Sequence, residues 1–299
     1  MGFPIYYLKL IEDIFDDLHT TYFGDRTHCF LCGSNNMDFR DKLKERIEGK
    51  GIKVIYAENL FEAIVHNKSK ANHLDLEQML ASNVELIVII LESPGAMVEL
   101  GMFSNNANEI KKLLVLMDDK YRMKESFINY GPIKKISDLD DIKRVFYYKA
   151  DGDGVKELKE YQQKALSKTL DEFKDLSPVS EGDSGILGLI SLYYLLQIMI
   201  FLFNPIDSRE LIDLLMHLNE RDGMGISRED ITVNINSVLS WLLKEGYLEK
   251  DKGDEYKLTK EGIRTIGKEL YSTFGTRTID SYRVQFLNYR YRHSYKKVN

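Results

Sequence analysis

The sequence predicts an α/β protein: a Rossmann-like (flavodoxin-like) parallel sheet domain followed by a mostly helical winged helix-turn-helix domain. Three observations predict it. The apolar run Leu86 to Leu91 reads as a strand covered on both faces, and it ends at Glu92 before the breakers Ser93, Pro94 and Gly95 lead into a helical period. HCFLCGS (28–34) and IKVIYA (52–57) flank a helical stretch, which makes a strand–helix–strand unit and implies a parallel sheet. From Ile186 the pattern changes to consecutive helices, closed by YLEKDKGDEYKLTKEG, two short strands around a polar turn.

Taken in order, residues 5–23 are an acidic amphipathic helix expected to pack on the sheet domain or on a neighbouring subunit. The first strand stops at Gly33, with Asn35, Asn36 or Asp38 as caps for a helix to about Glu48, and Gly49-Lys50-Gly51 closes that helix. Leu60 to His66 is a short helix, and Leu74 to Ala81 feeds the strand at 86–91. LLVLMDD (113–119) and RVFYYKA (144–150) are the remaining strands. Asp151-Gly-Asp-Gly154 marks a boundary, so the expected division is 1–150 for the sheet domain, 151–184 for a linker, 185–275 for the winged helix and 276–299 for a basic, aromatic tail.

The chain has 299 residues, 43% hydrophobic and 29% charged, enough for a sizeable core and a second domain. A net charge of −6 excludes a surface that binds polyanions all over, so any nucleic-acid contact must come from local clusters. The apolar stretch Ile186 to Phe203 is interrupted by Ser191 and Gln197 and reads as a buried helix rather than a membrane span. The acidic amino terminus is unlike a signal peptide, and Phe3-Pro4 argues against myristoylation at Gly2, so a cytoplasmic protein is expected. Cys29 and Cys32 lie inside an apolar strand and read as buried, reduced thiols. No histidine pair or carboxylate cluster has metal-ligand spacing, and no metal or cofactor is expected.

The chemistry gathers where the strand at 86–91 turns into the next helix. Open α/β sheets bind ligands outside the carboxyl ends of their strands, and Glu99, one turn into that helix, would face the crevice. A carboxylate there can stabilise a developing cation, or can simply complement the helix dipole. Gly33, Ser34 and Asn35 could let a phosphate approach the backbone at a helix start. Asp118 and Asp119 read as a solvated pair at a strand end.

Over residues 28–150, the segment DLEQMLASNVELIVIILESPGAMVELG resembles the nucleoside deoxyribosyltransferase family in its order of events. An Asp on a helix (Asp75) is followed by an acid at a strand end (Glu92), a turn containing Pro94 and Gly95, and the E-L-G glutamate, Glu99. Cys32-Gly33-Ser34 stands where that family has its nucleoside-binding turn, and FINYGP resembles the loop whose asparagine, here Asn129, enters a neighbour's active site. The resemblance implies a homo-oligomer that breaks an N-glycosidic bond, with Glu99 at C1′, Asp75 as acid and Glu92 orienting them or a ribose hydroxyl. Glu92 replaces the family's usual Asp, and Phe30 lies near a usual tyrosine, so base specificity does not transfer. Phosphoribohydrolases place a glutamate similarly.

In the carboxy-terminal module the helix with Asn234, Asn236, Ser237 and Ser240 would be the recognition helix, yet it carries no Arg or Lys on its exposed face before Lys244. The tail sets Arg283, Arg290, Arg292, Lys296 and Lys297 among Tyr282, Phe286, Tyr289, Tyr291 and Tyr295, which suits phosphates and unstacked bases, or equally a last helix with packed aromatics. With this module the whole chain is similar to the effectors encoded beside certain bacterial retrons. That resemblance implies an antiphage toxin held inactive by a reverse transcriptase and its multicopy single-stranded DNA, acting on NAD⁺ as substrate and not at a membrane. The competing expectations are a nucleotide-sensing winged-helix regulator without catalysis and a purely structural subunit.

Overall fold

The computed structural model describes residues 4–24, 26–33, 37–56, 73–150, 156–175, 188–251 and 255–294. They fall into two units, each described by itself. The first helix, α1 (Ile5–Asp13), continues through a π-helical stretch, Ile14–His19, and a last turn, Thr20–Gly24, and it belongs with the carboxy-terminal residues.

The sheet unit contains six strands: β1 (Thr27–Gly33), β2 (Ile52–Ile55), β3 (Leu86–Leu91), β4 (Leu113–Asp118), β5 (Val145–Ala150) and β6 (Lys156–Leu158). Their order is β2-β1-β3-β4-β5-β6, with β6 antiparallel to β5 and the rest parallel. Every side chain of β3 and β4 is buried, as expected of parallel strands sandwiched between helices. Of those helices, α2 (Met37–Glu48) supplies Phe39, Leu43 and Ile47 to one face of the sheet, beside Cys29, Leu31, Val88, Ile90, Leu116 and Tyr148. Helix α3 (His73–Ser82) precedes β3, and α4 (Pro94–Asn105) follows it and covers the other face, where Phe103 meets Phe30 edge to face at 6.1 Å. The chain thus leaves β1 toward one face and β3 toward the other, the arrangement by which open α/β sheets form a ligand crevice at their carboxyl edge.

Residues 156–175, expected as part of a linker, belong instead to this unit. Lys156–Leu158 forms the edge strand, and α5 (Glu160–Asp175) buries Leu166, Leu170 and Phe173 in the core beside α2. The stripe 166, 170, 173 has helical spacing, so it commits the segment to a packed helix. The expected helix at 60–66 lies outside the described residues.

The helical unit is built on α6 (Leu189–Phe203), all of whose side chains are buried. A helix apolar on every side has to be surrounded. Around it lie α7 (Ser208–Arg221), α8 (Arg228–Lys244), α9 (Lys260–Phe274) and α10 (Thr276–Ser294), with a small sheet of β7 (Ile206–Asp207), β8 (Leu248–Lys250) and β9 (Glu255–Leu258) in the order β7-β9-β8. Side-chain caps start three of these helices: Asp207, Ser227 and Thr259 accept from the N–H of Glu210, Asp230 and Gly262 at 2.8, 3.1 and 3.0 Å. Among the described residues no helix is long and apolar enough to cross a membrane.

The amino-terminal helix packs within the helical unit. His217 and Arg221 of α7 pair with Glu12 and Asp16 at 2.7 and 2.9 Å, and Tyr22 donates to Glu269 of α9 at 2.7 Å. The tail helix α10 is likewise turned inward. Phe286 is 1% exposed, Tyr289 stacks on Tyr7 at 4.1 Å, and Tyr282 donates to Asp17. Arg290 lies 4.7 Å over the Phe286 ring and 3.5 Å from Glu210, while Arg283 lies over Phe201 and donates to the Tyr271 hydroxyl. Of the five basic residues expected to meet nucleic acid, Arg283 and Arg290 are therefore engaged within the unit; Lys296, Lys297 and the side chain of Arg292 lie outside the described residues. In α8, Ser237 is fully buried and bonded back to the Val233 carbonyl, and the helix opens on Glu229 and Asp230, an acidic start for a groove reader.

Candidate active site at the carboxyl edge of the sheet

The parallel strands all end at one edge, and the turn after β3 brings the first functional group there. Ser93 caps α4, its Oγ accepting from the Ala96 N–H at 3.1 Å, and Pro94 takes the first helical position, where no N–H is needed. Gly33 ends β1 with φ +77°; a Cβ there would lie 2.1 Å from the Ile90 carbonyl oxygen and 3.1 Å from Ala96 Cβ, so only glycine lets the first turn of α4 settle over β1. One turn on, partly buried, is Glu99. Its carboxylate faces the Cys32 thiol, which also lies 3.6 Å from the Val88 carbonyl. Burial first, and then Glu99, push that thiol well above its ordinary value, so it remains a neutral donor. Cys29 and Cys32 are both free and, three residues apart on a strand, point to opposite faces.

On the other side of the first turn of α4 is a cavity of about 480 Å³ at the ends of β3, β4 and β5. Leu91, Met97, Met117 and Ile128 give it an apolar floor. Sheet register supplies its polar wall. Leu91 is paired with Met117, and Asp118 with Tyr148, so Glu92, Asp118 and Tyr148 form a row across three adjacent strands. Lys156 joins them because β6 folds back antiparallel on β5, and its Nζ lies 2.6 Å from Glu92 Oε1, both side chains being about 15% exposed. Burial, then the charge of Glu92 and a hydrogen bond to it, raise the Tyr148 phenol far above its usual value and keep it a donor. Burial alone would raise the Asp118 carboxyl. The Lys120 ammonium at 2.8 Å and the Lys120 N–H at 3.0 Å outweigh it, with Lys156 adding to them, and the carboxyl is held below its usual value.

Residues 36–250 match the family described as STM3845 retron effector protein. The chain belongs to that family. It is also similar to two Escherichia coli proteins. The "Retron Ec86 putative ribosyltransferase/DNA-binding protein" is 27% identical over 276 residues, 88% of this chain and 85% of that protein. The "Retron Ec73 putative ribosyltransferase/DNA-binding protein" is 27% identical over 212 residues, 62% of this chain and 65% of that protein.

Within this retron effector, the residues read from the sequence separate. Glu92 lines the cavity; Glu99 is not among the residues that line it. Met97 and Glu99 sit two positions apart, about 200° around the helix, so Met97 faces the cavity while Glu99 faces β1. Pro94 and Gly95 are exposed at the amino end of α4. Asn129, expected to contact a sugar, donates from its Nδ2 to the carbonyls of Tyr121 and Lys124 at 2.8 and 2.7 Å, which braces the loop at the cavity rim. Asp118 is buried at 7% exposure rather than solvated. Ser34, Asn35 and the side chain of Asp75 lie outside the described residues. Sequence reasoning set Asp118 aside as solvated and missed Lys120, Lys124, Tyr148 and Lys156. Only the Asp118-x-Lys120 spacing at a strand end carried a local signal, the aspartate being able to take its own second-next N–H.

Proposed function

We propose that the sheet unit is an N-glycosidic enzyme that cleaves the ribosyl C1′–N bond of NAD⁺ or a related nucleotide, and that the chain is the toxin of a retron antiphage system. The observation that carries this reading is the placement of two carboxylates, Glu99 and Glu92, on either flank of the first turn of α4 at the strand-order switch, in a chain whose relatives are named for ribosyl transfer. As the C1′–N bond breaks, its electron pair leaves with the nitrogen and C1′ becomes oxocarbenium-like, so a carboxylate at C1′ lowers the barrier. Glu99 takes that role, and water or another acceptor then completes the exchange at C1′. Nicotinamide leaves neutral from a cationic substrate, so a strong general acid is unnecessary. Glu92, accepting from Lys156 and Tyr148, orients a hydroxyl rather than giving a proton. A dinucleotide laid across the amino end of α4 would put its reacting ribose against Glu99 and its other half in the cavity, where remote binding helps to fix the reacting bond. In the helical unit we read α7 and α8 with β8 and β9 as a winged helix-turn-helix that meets the reverse transcriptase and its multicopy single-stranded DNA, which hold the toxin inactive in an oligomer.

Purified protein incubated with NAD⁺, with product followed by chromatography, tests this. Glu99→Gln is expected to lower turnover about a hundredfold or more, the usual scale for losing a group that stabilises transition-state charge. Adding reverse transcriptase with its DNA is expected to suppress the wild-type rate. Turnover unchanged by Glu99→Gln would remove the mechanism.

A further inference from the structure

The cavity beside β4 contains a group that the proposed cleavage does not use. Asp118 is a carboxylate held in place twice by Lys120, and it lies one strand over from Glu92, which is held by Lys156 and Tyr148. Adjacent strands are about 4.8 Å apart, so the two carboxylates stand side by side on the wall of an otherwise apolar cavity. A carboxylate has about four lone-pair sites, and Lys120 takes one on each oxygen of Asp118, so Asp118 can accept more. The two lysines offset both negative charges, so the wall does not favour a cation; it favours neutral O–H donors. Two neighbouring acceptors at this spacing match a vicinal diol. Lys124, 4.7 Å over the Tyr121 ring at the rim, adds an ammonium where an anionic substituent of the diol-bearing ligand would emerge.

We propose that Asp118 is a specificity-determining residue: with Glu92 it reads the 2′,3′-diol of a ribonucleotide, so that this cavity accepts ribose and discriminates against deoxyribose. The proposal rests on the nucleotide reading above and names which half of the substrate the cavity takes. A ligand lacking one hydroxyl leaves a buried acceptor stripped of water with no donor in exchange, which is how a polar site rejects a deoxy analogue.

Binding to the full-length chain can be measured by calorimetry with adenosine 5′-monophosphate and its 2′-deoxy and 3′-deoxy analogues as probes. The ribonucleotide is expected to bind about tenfold or more tightly than either analogue, the scale of one hydrogen bond to a charged group. In Asp118→Asn that preference should fall to within about threefold, with the melting temperature reported alongside to show a folded variant. Equal binding of the three probes by the wild type, absence of binding by any of them, or full discrimination retained in the variant would each overturn the proposal. Discrimination without NAD⁺ cleavage would leave this assignment standing while removing the enzymatic one, so the two fail separately.

Discussion

The two units use charge in opposite ways. At the sheet edge Lys156 and Lys120 hold Glu92 and Asp118 around an open volume with an apolar floor. In the helical unit the same kinds of group close surfaces. Arg290 caps Phe286, Tyr7 donates to Glu210, and His19 is sandwiched by Phe15 and Phe23 with its Nε2 2.9 Å from the Ser191 carbonyl. Ion pairs that line a cavity keep oriented groups available for a ligand; ion pairs that roof an aromatic cluster mainly hold helices together. The sheet unit should therefore lose function before stability when its polar residues change, and the helical unit the reverse.

The largest expected effect breaks the helical side of that contrast. Phe286 touches Tyr7 and Phe203 and supports Arg290, so Phe286→Ala should cost about 3–5 kcal/mol by urea unfolding, the range for emptying a buried aromatic site. Acid comes next. Burial pushes His19 down to about 4, against a hydrogen bond with the Ser191 carbonyl that works the other way. An unfolded histidine titrates near 6.5, so between about pH 6.5 and 4 the unfolded chain binds a proton that the folded chain refuses, and stability falls as pH falls. The full loss is about 3 kcal/mol. Asp118 behaves differently. Its lowered carboxyl contributes stability above the ordinary aspartate value and loses it only as pH drops further. Unfolding followed separately in each unit from pH 7 to 4.5 should show the helical unit weakening first, and His19→Gln should flatten its profile. Equal weakening of both would break the comparison.

What was legible in the sequence follows the same line. Unbroken apolar runs announced β3, β4 and α6, because burial on all sides needs no partner to be named. The place of Glu92 at the sheet edge followed from where β3 ended. The row of Glu92, Asp118 and Tyr148 was not legible, since it exists only in the register of three strands drawn from distant segments. Lys156 was missed for a related reason. The Asp151–Gly154 turn reads as a boundary, yet the chain reverses after it and adds an antiparallel edge strand to the sheet. For α1 and α10 the amphipathic pattern shows that one face must be buried and is silent on what buries it. Interleaved bases and aromatics in the tail fitted a nucleic-acid contact and an inward-packed helix equally well.

The smallest effect tests the rim. Resemblance gives Asn129 a contact with a substrate hydroxyl in a neighbour's site; geometry gives it two backbone carbonyls in its own loop. The loop is exposed, so Asn129→Ala should cost no more than about 1 kcal/mol. If the residue is a brace, amide exchange should quicken around Tyr121–Lys124, and KM for NAD⁺ should rise severalfold while kcat holds, because loosening the rim weakens ground-state and transition-state binding alike. If it is a substrate contact formed between subunits, kcat should fall with exchange in the loop unchanged. The two roles move different observables, so one variant decides whether the cavity rim is finished by its own chain or by a second copy.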